Sequence, residues 1–241
     1  MASTRQAFVW ALYGKTGSGK TSFCIFLAKI WRKCNPGKKV IGFDPHGNLS
    51  KAGVLDHKIE ETDHDWPVIL MTRLCQKCNC IKHPKQDKCT KCGHNVWRYK
   101  FQGCLLILDD YRSLLPSDST PEDVLRLLAL KRAIGLDIML IMHNPKMLIL
   151  RVATYITKHL IFATQSLAGN FSDRITEYVS CQKAANLINQ YVLEMGGVDC
   201  ENYTKMHPNF PYVMVHNDSE TLQCENMDES MVRRLISTGK I

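Results

Sequence analysis

Gly14-Lys15-Thr16-Gly17-Ser18-Gly19-Lys20-Thr21 carries glycines, a lysine and a hydroxyl at the spacing G-x-x-x-x-G-K-[ST]. That spacing suits the polyphosphate of a nucleotide such as ATP. Small residues let successive backbone N–H groups curl around phosphate oxygens, and a following helix N-terminus adds partial positive charge. Lys20 would reach the β- and γ-phosphates, and the Thr21 hydroxyl would sit on Mg2+. A second acidic set, Asp109-Asp110, follows the apolar run Cys104 to Leu108. Asp109 would complete the Mg2+ site, since hard cations take oxygen ligands, and Asp110 would orient or deprotonate an attacking water. Asn144 is the first candidate for a γ-phosphate sensor, with His143 beside it the second. Lys15 adds a cation on the phosphate side. Arg151 is the candidate to stabilise transition-state charge from a neighbouring subunit, with Arg174, Arg126 and Arg132 as rivals.

A third set is built from sulfur. Cys75-x-x-Cys78 and Cys89-x-x-Cys92 are separated by ten residues. Two such knuckles predict a tetrahedral Zn2+ site closed by four thiolates, which is structural because no position stays open for substrate. Cys80, His83 and His94 are spare donors, Cys80 the nearest alternative ligand. A metal also explains how a short polar segment folds without an apolar core of its own. Trp97 and Tyr99 stand beside its basic residues, where they could stack on bases or pack the module onto the rest of the chain.

These residues need elements to place them. Phe8–Tyr13 reads as a buried strand entering the glycine loop, and Thr21–Trp31 as the helix leaving it. Lys39–Phe43, Pro67–Met71, Cys104–Leu108, Asp137–Met142 and Lys158–Ala163 read as further short strands. A helix is expected from Ser119-Thr120-Pro121-Glu122 to Gly135, another over 171–195, and a terminal one from Met227 to Thr238. The alternation predicts an α/β fold, a RecA-like sandwich with a mostly parallel sheet covered on both faces. We expect one ATPase domain over 1–241, a zinc-binding insertion at 73–100, and a C-terminal extension over 198–241 whose weak periodicity leaves its structure undecided.

The charge is concentrated. Between Arg73 and Lys100 lie eight basic residues and one acid, a net +7 of the chain's formal +8. Such a patch suits a polyanion, with nucleic acid the first candidate, although lysine-rich loops also serve solubility. No apolar run approaches the ~18 residues of a membrane-spanning helix. The N-terminal apolar run is short and enters the glycine loop directly, unlike a signal peptide. Eleven cysteines beside a nucleotide motif point to a reducing, intracellular setting and a soluble protein rather than a disulfide scaffold.

Taken together, the Gly14–Thr21 loop resembles the G-x-TGSGK[ST] loop of the FtsK/HerA superfamily of DNA-pumping P-loop ATPases. Val40 to Gly47, ending in Asp44-Pro45-His46-Gly47, is similar to the strand and D-P-[HK]-G turn of that family. The Asp109-Asp110 strand and the polar strand end at Asn144 fall where its next motifs fall, with Asn144 where many members carry Gln. Within the family the chain looks most like compact genome-packaging ATPases of tailless icosahedral double-stranded DNA viruses. That resemblance implies an ATP-driven translocase of double-stranded DNA, assembled as a hexameric or pentameric ring beside a capsid or membrane protein at a viral vertex. The setting implied is host cytoplasm or virion. A zinc module is not a general feature of the family. Zonula-occludens-toxin-like phage assembly ATPases share the loop, and a nucleotide-switched DNA-binding protein that does not translocate is a third reading.

Overall fold

The short apolar runs become neighbouring parallel strands, and their polar ends collect at one edge. The computed structural model describes residues 7–63, 65–83, 85–114, 121–164, 177–195, 210–216 and 221–238. In chain order the elements begin β1 (Val9–Tyr13), α1 (Lys20–Cys34), β2 (Val40–Phe43), α2 (Asn48–Lys51), β3 (His57–Ile59) and α3 (Trp66–Met71). A two-stranded ribbon follows, β4 (Arg73–Cys75) and β5 (Trp97–Tyr99). Then come β6 (Leu105–Asp109), α4 (Tyr111–Leu114), α5 (Glu122–Ile134), β7 (Asp137–Met142), α6 (Leu150–Ala153) and β8 (Lys158–Ile161). The described chain ends with α7 (Tyr178–Glu194), β9 (Tyr212–His216), β10 (Leu222–Glu225) and α8 (Glu229–Ser237).

Eight strands pair in the order β10-β9-β8-β1-β7-β6-β2-β3. All pairs from β8 to β3 are parallel, while β9 and β10 are antiparallel. The sheet is therefore mostly parallel, as expected, with an antiparallel edge drawn from the stretch whose periodicity was undecided. Register sets the site: Tyr13 pairs with Met142, and Asp109 with Ile141. Gly14, Asp109 and His143 thus emerge together at the carboxyl ends of three adjacent strands, where ligands bind in open α/β sheets.

Alternation within each strand sends side chains to two cores. Leu105 and Ile107 join Phe23, Cys24, Ala28 and Trp31 of α1 on one face. Leu106 and Leu108 join residues of α5 and α7 on the other. Strands buried on both faces read as continuous apolar runs, which is why the sequence shows them.

One expected strand is a helix. Pro67–Met71 lies in α3, where Trp66, Pro67 and Leu70 are buried while Val68 and Ile69 are exposed. Five apolar residues suit either element, and Pro67 in the first helical turn, where its missing N–H costs nothing, favours the helix. The expected helix over 171–195 appears as Tyr178–Glu194. Residues 171–176, 115–120 with Ser119-Thr120, and Arg174 lie outside the described residues.

At the opposite end of the sheet, buried Asp137 fastens α1 to the strands. It accepts a 2.7 Å hydrogen bond from the Trp31 indole and a 3.3 Å bond from the Phe8 N–H. Removing this acceptor strands a buried donor, at a cost of about 1–3 kcal/mol. Asp137→Ala is expected to lose about that much stability in urea unfolding, with Asp137→Asn losing less because its amide oxygen still accepts. An unchanged midpoint for Asp137→Ala would refute this role.

Candidate functional site

The chain leaves β1 and turns at once. The Gly14 N–H donates to the Met142 carbonyl at 3.3 Å, and the Lys15 N–H to the Ala163 carbonyl at 3.0 Å. A Cβ on Gly14 would come within 2.6 Å of Ser18 Oγ and 2.9 Å of Phe162 Cβ, so the loop closes here only around glycine. Gly19 holds φ of 90°, a left-handed conformation open to glycine, and α1 starts with the next residue. The result is a ring of backbone ending at a helix N-terminus. Lys20 is buried inside it, only 4% exposed. Its Nζ donates to Gly14 O at 2.6 Å, Lys15 O at 2.8 Å and Ser18 Oγ at 3.5 Å. Those neutral carbonyls hold the ammonium in place without cancelling its charge, so the loop is set for an anion.

Two buried carboxylates stand at the neighbouring strand ends. Asp109 ends β6 and accepts a 3.3 Å hydrogen bond from Thr21 Oγ1. Burial raises its pKa above the usual carboxylate value, and the nearby Asp44 charge adds to this, against Thr21 and Lys20. Asp44 directly follows the next strand, β2, and is fully buried. Its Oδ2 accepts from the Ser50 N–H at 2.7 Å, while Oδ1 is buried with no hydrogen-bond partner. A carboxylate pushed up by another, beside a hydroxyl and an unsatisfied buried oxygen, is a donor set that a hard dication would satisfy. Thr21 and Asp109 therefore fit the Mg2+ expected of them.

These groups open onto a cleft of 810 Å³. Its walls include Thr16, Gly17, Lys20, Thr21, Asp109 and His143. His143 Nδ1 lies 3.5 Å from Thr16 Oγ1. Burial and then Lys20 lower the His143 pKa against the pull of Asp110, which favours the neutral ring. Asn144 does not line the cleft; its carbonyl accepts the Met147 N–H at 3.0 Å and starts a 3-10 turn. Of the two strand-end candidates, the fold brings His143 to the cleft. Asp110 does not line the cleft either, and it holds a left-handed conformation with φ of 52°. Its Oδ2 accepts from Ser113 Oγ at 2.6 Å, and its Oδ1 is buried without a hydrogen-bond partner. Arg151 is exposed on α6 and does not line the cleft, so within one chain it is apart from the site.

Four lining residues carried no role in the sequence reading: Ser22 in the first turn of α1, His46 in the turn after β2, Asn48 at the start of α2, and Phe210, which precedes β9. The Phe210 ring lies so close over Gly19 that a Cβ there would be 2.1 Å from it. Asp44-Pro45-His46-Gly47 was itself a signal for the turn residues. Nothing local marks Phe210, whose place depends on β9 pairing with β8.

The cysteine segment folds into two matching knuckles. The Cys75 carbonyl accepts the Asn79 N–H at 3.0 Å, and the Cys89 carbonyl accepts the Gly93 N–H at 2.7 Å. The Cys75 N–H donates to Cys80 O, and the Cys89 N–H donates to His94 O, at 2.9 and 2.8 Å. The four sulfurs of Cys75, Cys78, Cys89 and Cys92 lie within 4.8 Å of one another. Cross-knuckle pairs Cys75–Cys92 and Cys78–Cys89 are 3.5 and 3.4 Å apart. Tetrahedral zinc with bonds of about 2.3 Å needs sulfurs about 3.8 Å apart, so the set fits the ion. The Cys80 N–H lowers the Cys78 pKa, against burial. Cys92 is pushed up to about 12: the His94 N–H opposes this, but burial and the Cys78, Cys75 and Cys89 sulfurs prevail. Ionising all four thiols together is opposed by their mutual repulsion, which a cation among them would relieve. Cys80 matches His94 in the repeated turn and stands outside the four-sulfur group. Tyr99 is buried in the main core, which answers its alternatives: it packs the ribbon onto the sheet domain.

No family model matches the chain, and no curated protein does. Solved structures do. The genome packaging NTPase B204 of Sulfolobus turreted icosahedral virus 2, in complex with AMP, superimposes with a TM-score of 0.53 at 13% identity, covering 90% of this chain and 96% of that one. The same protein in complex with ATP-gammaS gives 0.52 at 12% identity, covering 92% and 97%. B204 described as the DNA-packaging ATPase of Sulfolobus turreted icosahedral virus gives 0.52 at 11% identity, covering 92% and 98%. No helix among the described residues is long and apolar enough to cross a membrane. The glycine loop and the strand-end acids stand on a mostly parallel sheet, and the chain shares the P-loop NTPase fold of these B204 structures.

Proposed function

We propose that the cleft binds ATP with Mg2+ and hydrolyses it, and that turnover moves double-stranded DNA during viral genome packaging. The carrying observation is the buried Lys20 ammonium inside a ring of backbone, facing Thr21 and Asp109 across the cleft. In this reading the N–H groups of Thr16 to Thr21 receive the phosphates. Lys20 would exchange loop carbonyls for phosphate oxygens, and Thr21 and Asp109 would hold Mg2+, which would supply positive charge beside the phosphates. His143 would contact the γ-phosphate side, and Asn144 holds the turn that aims it. Asp110 takes the proton of the attacking water. Phe210, over the start of α1, walls the nucleoside.

The likeness to packaging ATPases supports the larger assembly: a hexameric or pentameric ring, with Arg151 offered to a neighbour's cleft. A capsid or membrane protein at the viral vertex would anchor it, in host cytoplasm or virion. ATP hydrolysis stimulated by duplex DNA, with displacement of a third strand from a triplex, tests the motor; turnover indifferent to DNA would refute it.

Lys20→Ala is expected to abolish ATP binding and turnover, measured by titration and phosphate release; normal hydrolysis would reject the site. Asp110→Asn should keep ATP bound and slow hydrolysis about 10²-fold or more, as for loss of a general base. His143→Ala should lower kcat more than Asn144→Ala does, and the reverse order would restore Asn144 as sensor.

We further infer one structural Zn2+ per chain, held by Cys75, Cys78, Cys89 and Cys92. Elemental analysis should find it, and Cys75→Ser or Cys89→Ser should lose it while Cys80→Ser retains it. Stoichiometric metal in Cys75→Ser with none in Cys80→Ser would overturn this ligand set.

A further inference from the structure

The ribbon does not lie flat on the body. Between them runs a groove of 470 Å³ whose two walls come from different parts of the chain. Val68 and Met71 of α3 and Leu130 of α5 form the body wall, and Ile81 from the cysteine segment forms the other. Val68 is 45% exposed and Ile81 59%, a high exposure for aliphatic side chains that face each other across a recess. Three cations, Arg73, Lys82 and Arg126, line the same groove against one carboxylate, Asp123. None of the three is in an ion pair with a described residue. Arg73 is fixed in place: it donates to the Tyr99 hydroxyl at 2.7 Å and its guanidinium lies 4.8 Å from that ring's centre.

An apolar floor with an uncompensated basic rim selects its occupant. Duplex DNA would meet the cations but could not cover Val68 and Ile81, because its outer surface is solvated phosphate and sugar. Unpaired bases would need open aromatic faces. Here Tyr99 is buried and carries Arg73, and Trp97 has Lys82 5.6 Å from its ring centre. A peptide with bulky apolar side chains flanked by aspartate or glutamate answers both features at once, burying its apolar groups in the groove while its acids meet the rim. We propose that this groove docks an acidic, amphipathic segment of a partner protein. The segment bridges ribbon and body, so binding depends on the cysteine cluster keeping Ile81 and Lys82 opposite α3 and α5. The site is separate from the nucleotide cleft, and the proposal stands independently of what that cleft hydrolyses.

The test uses the full chain with its metal. Random short peptides displayed on phage are selected on it, and the enriched sequences are measured as free fluorescent peptides by anisotropy. The expected winners are acidic and carry at least two bulky apolar residues. Their affinity should fall about tenfold or more, some 1.4 kcal/mol, for Ile81→Asp, for Val68→Asp and for Lys82→Glu, while circular dichroism and ATP turnover stay unchanged. Ile81→Leu keeps the fold and the apolar wall and should retain binding. Enrichment of no peptide, winners that are neutral or basic, equal affinity for the variants, or displacement of the peptide by duplex DNA would each overturn the proposal.

Discussion

Lys20 is a buried ammonium that donates to the Gly14 and Lys15 carbonyls and to Ser18 Oγ, and the buried acids Asp109 and Asp44 lie at the carboxyl ends of two neighbouring strands. A charge with so little water around it is costly unless other charges complete the set. Asp109 and Asp44 alone do not complete it, since they also repel one another and leave an Asp44 oxygen unsatisfied. An anion at the glycine loop together with a cation at Thr21 and Asp109 removes both deficits. Much of the architecture serves to bring these charges together. Parallel strands deliver their carboxyl ends to one edge, and the two cores fix those ends against α1 on one side and α5 and α7 on the other.

The sequence displayed the parts of this arrangement that depend on local chemistry. The glycine loop, Asp109 and the Asp44 turn are legible because each needs particular residue types at fixed spacing next to an apolar strand. The strand order is legible only in part: runs buried on both faces announce a parallel sheet, but β9 and β10 are short and half-exposed, and they join the sheet through β9 pairing with β8 and β10 with β9. Pro67–Met71 was ambiguous for a physical reason, because a buried strand and one helical turn need the same few apolar residues. The distinction between His143 and Asn144 was not legible at all. Adjacent side chains at a strand end diverge, and only the turn after β7 decides which one enters the cleft.

The cysteine ribbon shows a different balance. Its fold follows from spacing alone, since two matching knuckles place four sulfurs together by backbone turns of the same form. Its attachment does not. Tyr99 and Phe101 join the main core from a segment that reads as basic and polar, so the ribbon is set against α3 and α5 rather than tethered loosely. The basic charge that pointed to nucleic acid therefore lies partly along a recess with aliphatic walls. Charge composition shows that an anion is wanted, and only the geometry around the charge shows which kind.

The proposed metal position at Thr21 and Asp109 would be complete only when nucleotide supplies its remaining ligands. Mn2+ can report this directly by electron paramagnetic resonance, titrated into the intact protein with and without a slowly hydrolysed ATP analogue. The account predicts one Mn2+ per chain that appears with the analogue and is lost when Thr21 is replaced by Val or Asp109 by Asn. Mn2+ binding that ignores the analogue, or that survives both substitutions, would contradict it.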